Sequence, residues 1–405
     1  MNESQRYRRA NIALFIASFI TFSDIYMSQP LLPLFVRDFQ LSSSQASLAV
    51  SLVIFPVGLS FLFYAPVSDT VGKKKLLSVV LVLSSFPGLL SAYARTFNGV
   101  LAGRLLDGLL LAGVPAIAMA YIGEEFDNKK LASVMGLYIS GNTLGGMGGR
   151  IISGFIAGSF SWRESFLFLS VLHLLGAIAF VFLLPRSRDF RPVRYRPLNA
   201  FTHSIENFKN PLLLGAYITG GLTMFNFVGL FNLLTFRLSA PPYNFTSNQL
   251  GLLFLTYLSG TFSSASIGIL SSRRGVLFSA RLGLMLALAG LVLTLFESFR
   301  LILAGLILFC FGFFAAHSSA TSWVSSAAQK DKAAASGLYV LFYYTGASLS
   351  GVVLSPVWDA WGWPGVIAVC AFLFFLCIIA VIRIARLTQC SGTAGYAPDP
   401  NRRAT

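Results

Sequence analysis

Lys and Arg residues in this chain crowd into every second connection between long apolar stretches, and that alternation restricts the fold more sharply than any motif. Twelve such stretches occur, near residues 12–36, 45–67, 76–94, 99–122, 132–158, 164–184, 211–236, 248–270, 277–296, 301–327, 333–357 and 364–386. Each is long enough to cross a hydrocarbon core of about 30 Å as a helix rising about 1.5 Å per residue. Basic loops are held on the cytoplasmic side during insertion. Twenty-three basic residues, from Arg6, Arg8 and Arg9 to Arg402 and Arg403, fall on one side, against only Arg37, Arg95, Arg163, Arg237 and Arg300 on the other. Arg104 and Arg150 remain within spans. The expectation is an all-α, twelve-span protein of the bacterial cytoplasmic (inner) membrane with both termini in the cytoplasm.

Composition removes the competing classes. A chain with 55% hydrophobic residues, 11% charged residues and 38 Phe is far from a soluble globular average. Its net charge of +15 lies in short, scattered loops and forms no stripe for nucleic acid. The first span exceeds the apolar run of a cleaved signal peptide and lacks its small-residue site, so it reads as a retained anchor. Cys310, Cys370, Cys377 and Cys390 have no CxxC spacing, which argues against a disulfide or a zinc site. No nucleophile with a base, metal cluster or phosphate-cradling loop points to an enzyme. No cofactor is expected, and the bundle needs no protein partner, which suits a monomer in membrane lipid.

The sequence repeats. Lys129 to Trp162 matches Lys330 to Trp363, pairing Gly136-Leu137-Tyr138 with Gly337-Leu338-Tyr339, Gly145 with Gly346 and Trp162 with Trp363. The loop Asp69-Thr70-Val71-Gly72-Lys73 matches Ser272-Arg273-Arg274-Gly275-Val276. Duplication implies six-helix bundles over 1–184 and 211–386, a polar linker over 185–210 and a disordered tail over 387–405. Parallel halves around a site at mid-membrane are the physical basis of alternating access.

At this point the residues resemble a known family. Ala65-Pro66-Val67-Ser68-Asp69-Thr70-Val71-Gly72-Lys73-Lys74 looks like the signature loop of the major facilitator superfamily. Arg104-Leu105-Leu106-Asp107-Gly108 resembles its second motif, and Gly141 to Arg150 lies where its proton antiporters carry a Gly-Pro-rich motif. Gly136 to Gly154 and Phe311 to Ser318 look more narrowly like its acriflavine-sensitivity branch of efflux proteins. The signature departs from the family at Ala65, Thr70 and Ser272, and the antiporter motif at Gly146. The resemblance implies that Asp69 caps the start of helix 11 near Ala333 to Gly337 when the inner side is closed; an anion at a helix start is worth about 0.3 to 1 kcal/mol when exposed. Asp69, Gly72, Lys73, Lys74 and Glu124 thus form an expected conformational gate, with Lys73 and Lys74 facing Glu124 or Glu125.

Candidate pathway residues follow from the cost of burying polar groups in lipid. Asp24 lies about thirteen residues into helix 1, near the bilayer centre, and is the leading protonation site. Arg104 and Asp107 share a face of helix 4 and can pair. With Arg150 they would place two guanidiniums near one carboxylate, leaving positive charge to hold Asp24 or an anionic solute. Asn142, Asn226, His317 and Tyr343 complete the set, with Asn232, Ser318, Tyr339 and Tyr344 as further polar candidates. His173 on helix 6 is expected to be peripheral. These residues suit a secondary transporter that exports a small organic solute against protons. The alternatives are a facilitator or importer of an anionic metabolite using Arg104 and Arg150, and a membrane sensor that keeps the fold without transport.

Overall fold

The computed structural model describes residues 3–187, 207–328 and 332–390. Most of the expected linker and tail lie outside the described residues. Ten helices in the described part are long and apolar enough to cross a membrane. Two further crossings are present beside them. The run Lys332–Cys390 breaks at Gly362, whose φ of 60° and ψ of −158° are not helical, so it holds two helices. The helix Asn128–Ser159 has 32 residues, about 48 Å at the α-helical rise; its many glycines and polar residues lower its hydropathy without shortening it.

The crossings are α1 (Glu3–Phe39), α2 (Ser43–Val71), α3 (Lys73–Ala92), α4 (Phe97–Glu125), α5 (Asn128–Ser159) and α6 (Trp162–Leu183). They continue as α7 (Pro211–Ser239), α8 (Ser247–Arg274), α9 (Val276–Leu293), α10 (Phe299–Ala327), α11 (332–361) and α12 (363–390). No strand occurs among the described residues. Phe155, Phe182, Phe262 and Trp361 stand exposed on the helix faces, as side chains do where the surrounding solvent is hydrocarbon.

The duplication seen in sequence recurs in backbone detail. Gly72 ends α2 at φ 97°, and its repeat mate Gly275 ends α8 at φ 88°. Both turns need a conformation that side chains disfavour, which is why glycine stands at each. Ser42 with Gln45 and Thr246 with Gln249 form capping boxes at the starts of α2 and α8, satisfying otherwise orphaned N–H groups. Gly145 lies against the backbone of Phe19, and Gly346 against that of Gly221.

The chain divides into two compact units. One comprises residues 1–198, 231–254 and 351–355, thus α1 to α6 with the α7–α8 turn and a short piece of α11. Its core runs through Leu14, Ala17, Leu77, Ile117, Tyr121 and Phe180. The other comprises 199–230, 255–350 and 356–405. Small residues bring its helices together: Gly283 and Gly290 on α9 meet the backbone of α10, and Phe227 stacks on Phe313 at 3.7 Å.

Candidate functional site

The centre of the first unit is built around a break in α1. Its α-helical part ends at Tyr26, a 3-10 turn follows at Gln29–Leu31, and Leu32–Phe39 resumes the helix. Pro30 and Pro33 explain the interruption, because each lacks an N–H and excludes a normal turn before it. A helix end leaves its last carbonyls without partners. Arg104 on α4 supplies them: its Nη2 donates to the carbonyls of Asp24 (2.8 Å) and Ile25 (2.9 Å). Its Nε donates to the Ala49 carbonyl on α2 at 3.2 Å, and its Nη1 to Asp107 Oδ2 at 2.7 Å. One fully buried guanidinium therefore ties α1, α2 and α4 together with four of its five N–H groups.

Asp24 hangs from the last turn before the break. Its carboxylate forms no ion pair with either guanidinium, contrary to the expectation from sequence. It faces His173 instead, with Oδ2 2.5 Å from Nδ1. The expected peripheral placing of His173 is thus corrected: the residue is 0% exposed and its Nε2 lies 2.9 Å from Ser84 Oγ on α3. The buried face of α6 runs through Leu169, Ser170, His173, Ala177 and Phe180, a helical spacing that puts His173 toward α1 and α3. Asp107, 2% exposed, keeps Oδ1 without a hydrogen-bond partner. Two carboxyls, a guanidinium and an imidazole therefore share one buried cluster, reached by α1, α3, α4 and α6.

The glycines of α5 set the position of α1. Gly141 packs on Phe15 and Ser18, Gly145 on Phe19 and Gly149 on Ser23, each against α1 backbone or Cβ atoms with no room for a side chain. The spacing of four places them on one stripe, which lets two helices approach closely where lipid offers no hydrophobic drive. Asn142 lies beside this stripe, where its Oδ1 accepts from Ser18 Oγ.

Arg150, the residue after the last glycine of the stripe, is also buried. Its Nε donates to Gln29 Oε1 at 2.5 Å and its Nη1 to the Gly146 carbonyl at 2.6 Å. Its guanidinium lies 4.1 Å from the Tyr26 ring and 4.7 Å from the Phe254 ring. Gln29 in turn donates to Asn232 at 2.6 Å. Nearby, Gly154 abuts Ser247 and Gly251, and Ser47 meets Ser355 at 3.3 Å. Arg150 thus belongs to the packing of the first unit around the α1 break and the α7–α8 turn.

The second unit holds the remaining candidates. His317 Nδ1 lies 2.9 Å from Tyr339 Oη, with its ring 4.6 Å from that of Tyr343. Both His317 and Tyr343 are half-buried. Asn226 packs against α12. It is fully buried and donates to the Cys370 carbonyl at 3.1 Å, while its Oδ1 has no hydrogen-bond partner among the described residues.

At the α2–α3 turn, Lys73 Nζ stands 2.8 Å from both Asp69 and Glu124. Glu125 is taken by Arg6 at 2.7 Å. Lys74 differs from expectation: Arg186 and Arg9 are the charges that act on it, and no acid among the described residues pairs with it. Gly72, at φ 97°, makes this turn.

Residues 14–351 match the family model for the Major Facilitator Superfamily. The inner membrane transport protein YnfM of Escherichia coli is 41% identical over 368 residues, covering 91% of this chain and 88% of that one. The Bacillus subtilis MFS-type transporter YybF is 33% identical, covering 91% of each. A Saccharomyces cerevisiae protein named as a probable drug/proton antiporter is 25% identical over 187 residues, 46% of this chain and 36% of that one. Among solved structures, a bacterial homologue of the lysosomal transporter Spinster in an inward-facing, occupied conformation superposes with a TM-score of 0.75 at 14% identity, covering 95% of this chain and 98% of that one. The nucleoside transporter NupG does so with a TM-score of 0.73 at 13% identity, covering 93% and 99%.

Proposed function

Because this chain belongs to the Major Facilitator Superfamily and is a multi-pass membrane transporter, we propose that it exports a small organic solute from the cytoplasm in exchange for protons, with Asp24 as the protonation site. The observation that carries the reading is Asp24 itself. It is 6% exposed on a broken helix near mid-membrane, in one cluster with His173, Arg104 and Asp107. An ionised carboxylate there costs several kcal/mol unless it is paired, wet or protonated, so proton binding and its surroundings are tied energetically. Discontinuous helices at this depth are where secondary transporters bind solute and coupling ion. The names of the E. coli and yeast relatives, an inner membrane transport protein and a drug/proton antiporter, support transport, and the second supports exchange for protons.

The anion-import reading has less support. Arg104 spends four N–H groups on Asp107 and three carbonyls, and Arg150 is engaged by Gln29, Gly146 and two rings. Neither guanidinium stands ready for a solute carboxylate.

The test begins with a thermal-shift panel of dyes, sugars, amino acids and carboxylates on purified protein, since a bound ligand raises apparent stability. Hits are then followed in proteoliposomes under an imposed pH gradient. Wild-type protein is expected to accumulate the solute against its gradient, and Asp24→Asn to lose accumulation while keeping solute-for-solute exchange. Gradient-driven accumulation undiminished in Asp24→Asn would remove Asp24 from the mechanism.

A further inference from the structure

We propose that His173 is the proton partner of Asp24: the two side chains hold a single proton between α1 and α6, and its loss, or the gain of a second, weakens the contact that joins these helices. This inference rests on the proton-coupled reading and names a group through which coupling acts.

The hydrogen count around the imidazole carries it. Ser84 has one hydroxyl hydrogen, and its Oγ donates it to the Leu81 carbonyl at 3.0 Å. With that hydrogen on the Leu81 carbonyl, Ser84 meets His173 as an acceptor, and Nε2, at 2.9 Å, carries a hydrogen. In that arrangement the far side of the ring is set. Nδ1 lies 2.5 Å from Asp24 Oδ2 as an ion-pair contact and has no hydrogen-bond partner among the described residues. A bare nitrogen lone pair and an ionised oxygen would repel at that distance, so one proton sits at the contact, on nitrogen or on oxygen. Removing it leaves two lone pairs face to face. Adding a second leaves an imidazolium N–H against a neutral carboxyl, whose carbonyl oxygen accepts more weakly than a carboxylate. The contact is strongest in one protonation state.

The charges that face the pair come from every helix packed on it. Asp24 is on α1 and Ser84 on α3, while α4 brings Asp107 and Arg104, both acting electrostatically on this site. With one proton on the Asp24–His173 pair and an ion pair between Arg104 and Asp107, the cluster is neutral. Loss of that proton leaves a net buried negative charge, which is strongly disfavoured unless water or a cationic group reaches it. Asp24 is the most exposed member at 6%, against 2% for Asp107 and 0% for Arg104 and His173. Asp24 is thus the member nearest to exchange with water, and His173 links it to α6. In the transport cycle the proton enters from external water and leaves to cytoplasmic water; only N–H and O–H bonds are made or broken.

Two solute-free measurements test this. The chain has three histidines, His173, His203 and His317, so full-length protein labelled with 15N-histidine in lipid nanodiscs gives few imidazole signals, assigned with His203→Gln and His317→Gln. Nε2 of His173 is expected to stay protonated throughout, while Nδ1 changes state with pH and its midpoint shifts in Asp24→Asn. A His173 ring that keeps one state across the whole stable pH range, or titrates identically in Asp24→Asn, would overturn the proposal. The second measurement is Tm against pH for His173→Gln, Asp24→Asn and the double variant. The three are expected to lose the same pH-dependent step, with no further loss in the double variant. Additive losses would overturn it, since independent groups add. Neither measurement uses transport, so they separate the role of His173 from the proton-coupled reading: absence of solute-linked proton movement in wild-type vesicles sinks only the latter.

Discussion

Arg104 is the residue on which the site's architecture most depends. It meets four carbonyl or carboxylate oxygens on three helices, and a planar guanidinium with several fixed donors is the one side chain that can do so. Arg104→Ala is expected to strand Asp107 and the Asp24 and Ile25 carbonyls, costing about 3 to 5 kcal/mol, the range for breaking a buried pair. Arg104→Lys restores the charge without the fork and should recover only part of this loss. Unfolding of both variants in a fixed detergent or lipid checks the ordering. Equal stability of wild type and Arg104→Lys would show that charge alone suffices. At this scale the sequence made Asp24, Arg104 and Asp107 legible, because ionisable residues inside apolar spans are costly and therefore conspicuous. Their partners were less so. A guanidinium paired to backbone carbonyls depends on where a neighbouring helix breaks, and His173 was hidden because spacing alone does not say which face of α6 looks inward.

Among the elements, α1 and α5 form the most informative pair. Gly141, Gly145 and Gly149 leave no space for a Cβ against α1, so Gly145→Val is expected to cost about 1 to 3 kcal/mol as an overpacked contact. Gly136 lies on the same helix, where a Cβ would meet open space. Gly136→Ala should accordingly stabilise by about 0.5 to 1 kcal/mol through helix propensity. Paired melting curves of the two variants check both signs; a similar effect of each would mean that the stripe does not set the approach. The glycines recur every four residues in the sequence, a spacing that permits close packing, and the repeat is readable from its turn glycines and tryptophans. The 3-10 break in α1 was not read, although Pro30 and Pro33 signalled it, since an apolar span of adequate length conceals an interruption that neighbouring side chains repair.

For the whole molecule, loop charge and apolar length specify an all-helical membrane fold, because lipid allows only hydrogen-bonded helices or closed barrels, and the repeat predicts how those helices group. The same charges predict the orientation. Single-cysteine variants at Lys75 and at Thr96, at opposite ends of α3, test it in intact cells with a membrane-impermeant maleimide. Thr96→Cys is expected to label and Lys75→Cys to label only after permeabilisation; the reverse pattern would invert the topology. Solute identity is not legible at this scale, because the same fold carries many chemistries and the side chains that choose among them are few. The most direct test of proton exchange places a pH indicator inside sealed proteoliposomes and adds a thermal-shift hit to one side with no imposed proton gradient. Downhill solute flow is expected to drive protons the opposite way in wild-type protein and to leave the pH unchanged in Asp24→Asn. Solute flow through wild-type protein without any proton movement would contradict the proposal.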